Sequence, residues 1–243
     1  MDASSRLIVA ADFDPRREGG AREVHDRVLV LAKSLEGTGV IIKVNSVLRA
    51  YGYTLISELH DLGLQVFADL KLTDIPNTVE TDGAMLKEYK PEFITVMCST
   101  GIDGMRAVRE TVGQYTQVLG VTVLTSFNEE ECQEIFGCST KAGVLRFARM
   151  AQLAGLSGLI LSPQEAEIIK ARPELTLSLN TPGIRPLWSL VAGDDQERVM
   201  TPAKAIKAGA MRVVIGRPII QAEDPRHAVE LALQEITEGL PSE

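Results

Sequence analysis

Eight short runs rich in β-branched and aliphatic residues recur along the chain, and the stretches between them carry helical periodicity. The runs are LIVAADF (7–13), VIIKV (40–44), QVFADLKL (65–72), FITVMC (93–98), QVLGVTVLTS (117–126), GLILSP (158–163), LTLSLNTPG (175–183) and RVVIGRP (212–218). In VHDRVLVLAKSL (24–35) the apolar residues Val24, Val28, Leu31 and Leu35 fall at helical spacing. VLRFARMAQLAG (144–155) closes on a glycine suited to a C-cap. TPAKAIKAG (201–209) and DPRHAVELALQEI (224–236) each open on a capping residue followed by proline. Such alternation makes parallel strands joined by crossover helices. Eight units in 243 residues fit a single (β/α)8 TIM barrel of the α/β class, one domain over 1–243. An open doubly wound sheet fits less well, because no G-x-G-x-x-G follows the first run.

A barrel of this kind carries its functional groups at the C-terminal ends of the strands and in the loops beyond them. The charged residues fall there. Asp12 ends the first run, Lys43 the second, and Asp69 and Lys71 the third; Thr125 and Ser126 close the fifth, while Arg185 and Arg217 follow the seventh and eighth. Side chains alternate across a strand, so Asp69 and Lys71 share one side and Ala68, Leu70 and Leu72 the other. Asp74 lies just past the strand, before Ile75-Pro76. With Lys43 these residues make an alternating row of two ammonium groups and two carboxylates, in which each charge keeps its neighbours ionised. A salt-bridge network serving the fold alone is the competing reading. It explains less, since buried ion pairs add little net stability.

Proton transfer at this site falls to lysine or a carboxylate, because His25, His60 and His227 all lie in helical stretches away from strand ends. A lysine flanked by aspartates stays protonated. Lys71 is therefore better placed to donate a proton than to form a Schiff base, which needs a neutral amine. At the far end, TPGIRP supplies Gly183 and Arg185 and IGRP supplies Gly216 and Arg217. Each glycine-arginine pair offers close backbone approach, an amide donor and a bidentate cation, and barrels commonly hold phosphate after their last two strands. The long connection 184–198, with Trp188 and Gln196, reads as a lid whose Arg185 and Gln196 grip that phosphate.

Composition narrows the partners. The net charge is −8 and no basic stripe alternates with aromatics, which argues against nucleic acid. The start, MDASSRLIVAADFD, lacks the apolar stretch of a signal peptide, and no run approaches a membrane span. Cys98, Cys132 and Cys138 are an odd number without C-x-x-C spacing, expected as reduced thiols in a cytoplasmic protein rather than as zinc ligands.

DLKLTDIPNT (69–78), VTVLTS (121–126), TPGIR (181–185), DDQERVMTP (194–202) and VIGRPI (214–219) resemble, in order, the orotidine 5′-phosphate decarboxylase family, which catalyses the last step of de novo UMP synthesis. The D-x-K-x-x-D core alone is shared with 3-hexulose-6-phosphate synthases. The IPNT continuation and the TPGIR…DDQ…TP segment are specific to the decarboxylases. The resemblance implies a homodimer with shared active sites, acting on orotidine 5′-phosphate without metal or organic cofactor. It implies Lys71 as the proton donor to C6 and Asp69 beside the substrate carboxylate. Asp12 and Lys43 would bind ribose hydroxyls. Asp74, Ile75 and Thr78 would reach the neighbouring subunit's ribose and base, and Thr125 or Ser126 the pyrimidine edge. Arg185, Gln196, Gly216 and Arg217 would hold the phosphate. The chain departs from the family pattern at Met97, where histidine is expected, at Asn45, usually glycine, and at Ala11, usually leucine. A metal-dependent aldol-type lyase using the same carboxylates for magnesium, and a barrel that only binds UMP-like ligands, remain the two other readings of these residues.

Overall fold

The computed structural model describes residues 2–190 and 200–241. Eight parallel strands close into a barrel in chain order: β1 (Leu7–Ala10), β2 (Ile41–Val44), β3 (Gln65–Leu72), β4 (Phe93–Met97), β5 (Gln117–Val121), β6 (Gly158–Ile160), β7 (Ser178–Thr181) and β8 (Arg212–Ile215). Helices separate successive strands, giving the (β/α)8 architecture that the alternation requires. No described helix is long and apolar enough to cross a membrane.

The residues divide into two compact units. The first comprises Met1–Asp69, Ile184–Lys207 and Arg212–Glu243. Here β1 lies between β2 and β8, with Ile8 opposite Ile41 on one side and Val214 on the other. Leu7, Ile8 and Val9 are fully buried. The helix Ala21–Ser34 buries Val24, Val28 and Leu31, the stripe expected from their spacing, and each such side chain contributes about 1.5–3 kcal/mol on leaving water. The helix Pro225–Gly239 starts where Asp224 accepts a hydrogen bond from the His227 amide at 3.1 Å. Thr201 caps Pro202–Lys207 by accepting from the Lys204 amide at 3.2 Å. Both are the cap-then-proline starts read from the sequence.

The second unit comprises Leu70–Gly183 and Ala208–Met211. It aligns β4 to β7, with Thr95 opposite Leu119, Leu119 opposite Gly158, and Leu159 opposite Leu179. The helix Thr140–Ala154 begins with Ser139 accepting from the Ala142 amide and ends at Gly155, whose φ of 75° makes it the left-handed C-cap expected there. The three cysteines are free thiols, and burial pushes the Cys98 thiol up to about 12.

Several strands are shorter than their apolar runs. The run 117–126 ends as strand at Val121, although Thr122 and Val123 remain buried. The Thr122 amide still bonds the Ile160 carbonyl at 3.1 Å before the chain leaves the barrel wall. Apolar character tracks burial, and burial persists into the loops above the ladder. Asp12 likewise lies two residues beyond β1, and Gly216 and Arg217 lie beyond β8.

Glu165, just after β6, is a buried carboxyl outside the row of charges described below. Burial pushes its pKa up to about 7, the Ser162 backbone donor pulls it partly back, Glu129 raises it and Lys141 lowers it. A carboxyl whose folded pKa exceeds its unfolded one weakens the fold as pH rises from the unfolded value through the folded one. Glu165→Gln, which keeps an acceptor for the cap, is therefore expected to stabilise the protein by about 1–2 kcal/mol at pH 8 and by nothing near pH 4. Urea denaturation at both pH values checks this, and equal stabilities at pH 8 would contradict it.

Candidate active site

In the first unit, β1, β2 and β3 place three charged residues together. Lys43 is the third residue of β2, opposite Ala10 of β1 and Phe67 of β3. The Ala11 amide bonds the Lys43 carbonyl at 2.9 Å, which carries the β1 direction forward to Asp12. The Lys43 ammonium donates to Asp12 at 2.7 and 3.0 Å and lies 3.3 Å from Asp69. Lys43 and Asp69 are only 6% and 7% exposed, whereas Asp12 is open to solvent. Burial is the largest influence on Lys43 and acts against its charge. Asp69 and Asp12 together outweigh it, so the ammonium's pKa lies above its ordinary value. Half of the alternating charge row expected from the sequence is thus a dehydrated, directly bonded cluster.

The second unit carries Lys71, one residue from the end of β3. Its φ is +52°, and among the described residues only Lys90 is also a non-glycine residue at positive φ. This left-handed conformation costs a side-chain-bearing residue about 1–2 kcal/mol, and such strain clusters at functional sites. The Lys71 amide donates to the hydroxyl of Thr95 at 2.8 Å, and Thr95 is fully buried on β4. A regular extended β3 was expected here. The structure instead turns the backbone at the lysine, which breaks simple alternation at its last polar position.

Asp74 accepts from the Ile75 amide at 2.7 Å and is exposed, as is Ile75 at 65%. The helix Pro76–Lys87 follows, with Thr78 half-buried in its first turn. Burial, then the nearby Asp74, raises the pKa of Asp82 on that helix. Thr125 and Ser126 do not close β5. They are exposed in a turn four and five residues past its end, where the Phe127 amide bonds the Leu124 carbonyl.

Arg185, Gly216 and Arg217 belong to the first unit. The Arg185 amide bonds the Met200 carbonyl at 3.1 Å, and its side chain is exposed. The Leu187 amide donates to Glu235 of the helix Pro225–Gly239 at 2.8 Å. Gly183 has a φ of +78°, so glycine is needed for its backbone. At Gly216 a Cβ would meet no protein atom nearer than 3.5 Å. Gln196 and the rest of 191–199 lie outside the described residues, so the lid reading of 184–198 can be followed only over 184–190. His25, His60 and His227 lie within the helices Ala21–Ser34, Thr54–Asp61 and Pro225–Gly239, as expected. Asn45 stands at the N-cap of the helix Ser46–Tyr51, and its side chain makes no capping hydrogen bond.

The family model described as orotidine 5′-phosphate decarboxylase / HUMPS family matches residues 5–232. The chain belongs to that family. It is 36% identical to the orotidine 5′-phosphate decarboxylase of Heliobacterium modesticaldum over 251 residues, covering 99% of each chain. It is 40% identical to that of Syntrophus aciditrophicus over 249 residues, covering 98% of this chain and 96% of the relative. Among solved structures, the orotidine 5′-phosphate decarboxylase from Lactobacillus acidophilus superposes with a TM-score of 0.79 at 28% identity, covering 96% of this chain and 99% of that one. Sequence reasoning did not single out Thr95, the acceptor of the Lys71 amide. A threonine inside the apolar run FITVM was the available signal, because a buried hydroxyl needs a partner.

Proposed function

We propose that this chain decarboxylates orotidine 5′-phosphate to UMP and carbon dioxide in pyrimidine biosynthesis, as one barrel domain, without a cofactor. The observation that carries the reading is the buried Lys43–Asp69 pair bonded to the exposed Asp12, with Lys71 two residues beyond Asp69 in a strained backbone. Loss of carbon dioxide breaks the C6–carboxylate bond and leaves its electron pair on C6 in an sp² orbital with no conjugated sink. An ammonium fixed beside that carbon stabilises the pair as it develops and then supplies the proton that makes UMP. Lys71 has that role. Asp69 lies beside the substrate carboxylate, where two like charges ~4 Å apart repel by about 4 kcal/mol at an effective dielectric of ~20. Release of carbon dioxide relieves that repulsion.

Asp12 and Lys43 bind the ribose hydroxyls, and Thr125 or Ser126 the pyrimidine edge. Arg185, Gln196, Gly216 and Arg217 hold the phosphate. The open space around Gly216, where a Cβ would meet no protein atom nearer than 3.5 Å, supports that assignment, since it leaves room for a ligand oxygen at the backbone. The 65% exposed Ile75, next to Asp74 and near Thr78, supports a homodimer in which these residues complete the neighbour's site. The protein acts in the cytoplasm, without nucleic acid or membrane. A monomer in sedimentation at assay concentration would remove the shared-site role.

The deciding experiment incubates the purified chain with orotidine 5′-phosphate and a chelator, following carbon dioxide release and pyrimidine absorbance. Conversion to UMP that is undiminished by chelator, and far slower with phosphate-free orotidine, is expected. Turnover abolished by chelator would instead point to a metal-dependent lyase. Tight UMP binding without turnover would point to a binding barrel.

A further inference from the structure

We infer that Thr95 is a positioning residue for Lys71, holding the lysine's main chain in its left-handed turn through a side-chain hydroxyl. The inference rests on the reading of Lys71 as the proton donor. Thr95 lies in mid-β4, opposite Leu119 of β5, fully buried among apolar residues of FITVM. Valine would fill the same volume there without a polar atom to satisfy, so packing alone gives no reason for a hydroxyl. The hydroxyl oxygen accepts from the Lys71 amide at 2.8 Å. That amide belongs to the residue at φ +52°. At this φ the Lys71 Cα–Cβ bond no longer follows the alternation of a regular strand, so the lysine's aim depends on the turn being kept. A side-chain acceptor meets the turned N–H from outside the strand ladder, and because Thr95 is β-branched and buried, its χ1 is restricted. The turn thereby gains a fixed anchor. Thr95 touches no reacting atom; its effect on chemistry passes through Lys71.

The test compares Thr95→Val, Thr95→Ser and Thr95→Ala by steady-state kinetics with orotidine 5′-phosphate and by amide hydrogen exchange at Lys71. Thr95→Val is expected to lower kcat by about 10- to 100-fold, the scale of a sub-ångström to 1 Å misplacement, with little change in KM. Thr95→Ser is expected to keep most of the activity and the protection of the Lys71 amide, both of which Thr95→Val loses. Should valine prevent folding, serine and alanine still differ only by the hydroxyl, and the same contrast is expected between them. Wild-type kcat in the valine variant, or equal losses in serine and alanine, overturns the inference. If the wild-type protein does not decarboxylate the substrate, the proposed function fails. Lys71 amide protection then decides separately whether the anchor exists.

Discussion

Replacing Lys71 by alanine is expected to lower kcat/KM for orotidine 5′-phosphate by about 10⁴-fold or more, while UMP affinity changes by less than about tenfold. Two contributions act in the same place. A positioned general acid is worth about 10²–10⁴ in rate, and a fixed charge aimed at developing negative charge about 10²–10³. Alanine removes both and supplies no group in their place. UMP affinity, by contrast, is expected to rest on the ribose, pyrimidine-edge and phosphate contacts assigned to other residues, with the Lys71 ammonium beside C6 adding little to it. Single-turnover carbon dioxide release and UMP titration measure the two quantities. Near-normal turnover in the variant would remove Lys71 from the chemistry.

The second large effect is on stability. Lys43→Met is expected to destabilise the protein by about 3–5 kcal/mol at pH 8, the usual consequence of removing one partner from a buried ion pair. Asp69 would stay buried with Asp12 as a like-charged neighbour and no ammonium between them. Both effects favour its protonated form, so the folded variant binds a proton more readily than its unfolded chain. Its stability deficit relative to wild type therefore shrinks as pH falls toward 5. Urea denaturation at the two pH values measures the difference. A deficit below about 1 kcal/mol at pH 8 would mean that Lys43 does not hold the cluster together.

Much of this was legible because the barrel imposes two periodicities that a sequence displays directly. The helix stripe Val24, Val28, Leu31 and the caps at Asp224, Thr201 and Gly155 appear where spacing and residue type put them. Asp12, Lys43 and Asp69 were legible for a different reason, since charges inside β-branched runs have few places to go. Strand ends were less legible. Thr122 and Val123 stay buried after the ladder stops, so hydrophobicity misplaced Thr125 and Ser126 onto β5. The turn at Lys71 left no trace in composition, because positive φ is signalled by glycine and here a lysine occupies the position instead. Thr95 was hidden for a related reason: its partner is a backbone amide, which every residue has.

The left-handed backbone at Lys71 also has a bearing on how this sequence drifts. Glycine would adopt that conformation without penalty, whereas lysine holds it against its own preference. With Lys71 in its proposed role, selection for a sturdier barrel and selection for turnover pull position 71 in opposite directions. A duplicated copy released from its metabolic task would gain robustness by losing this lysine, which makes position 71 an early marker for telling working copies from relics.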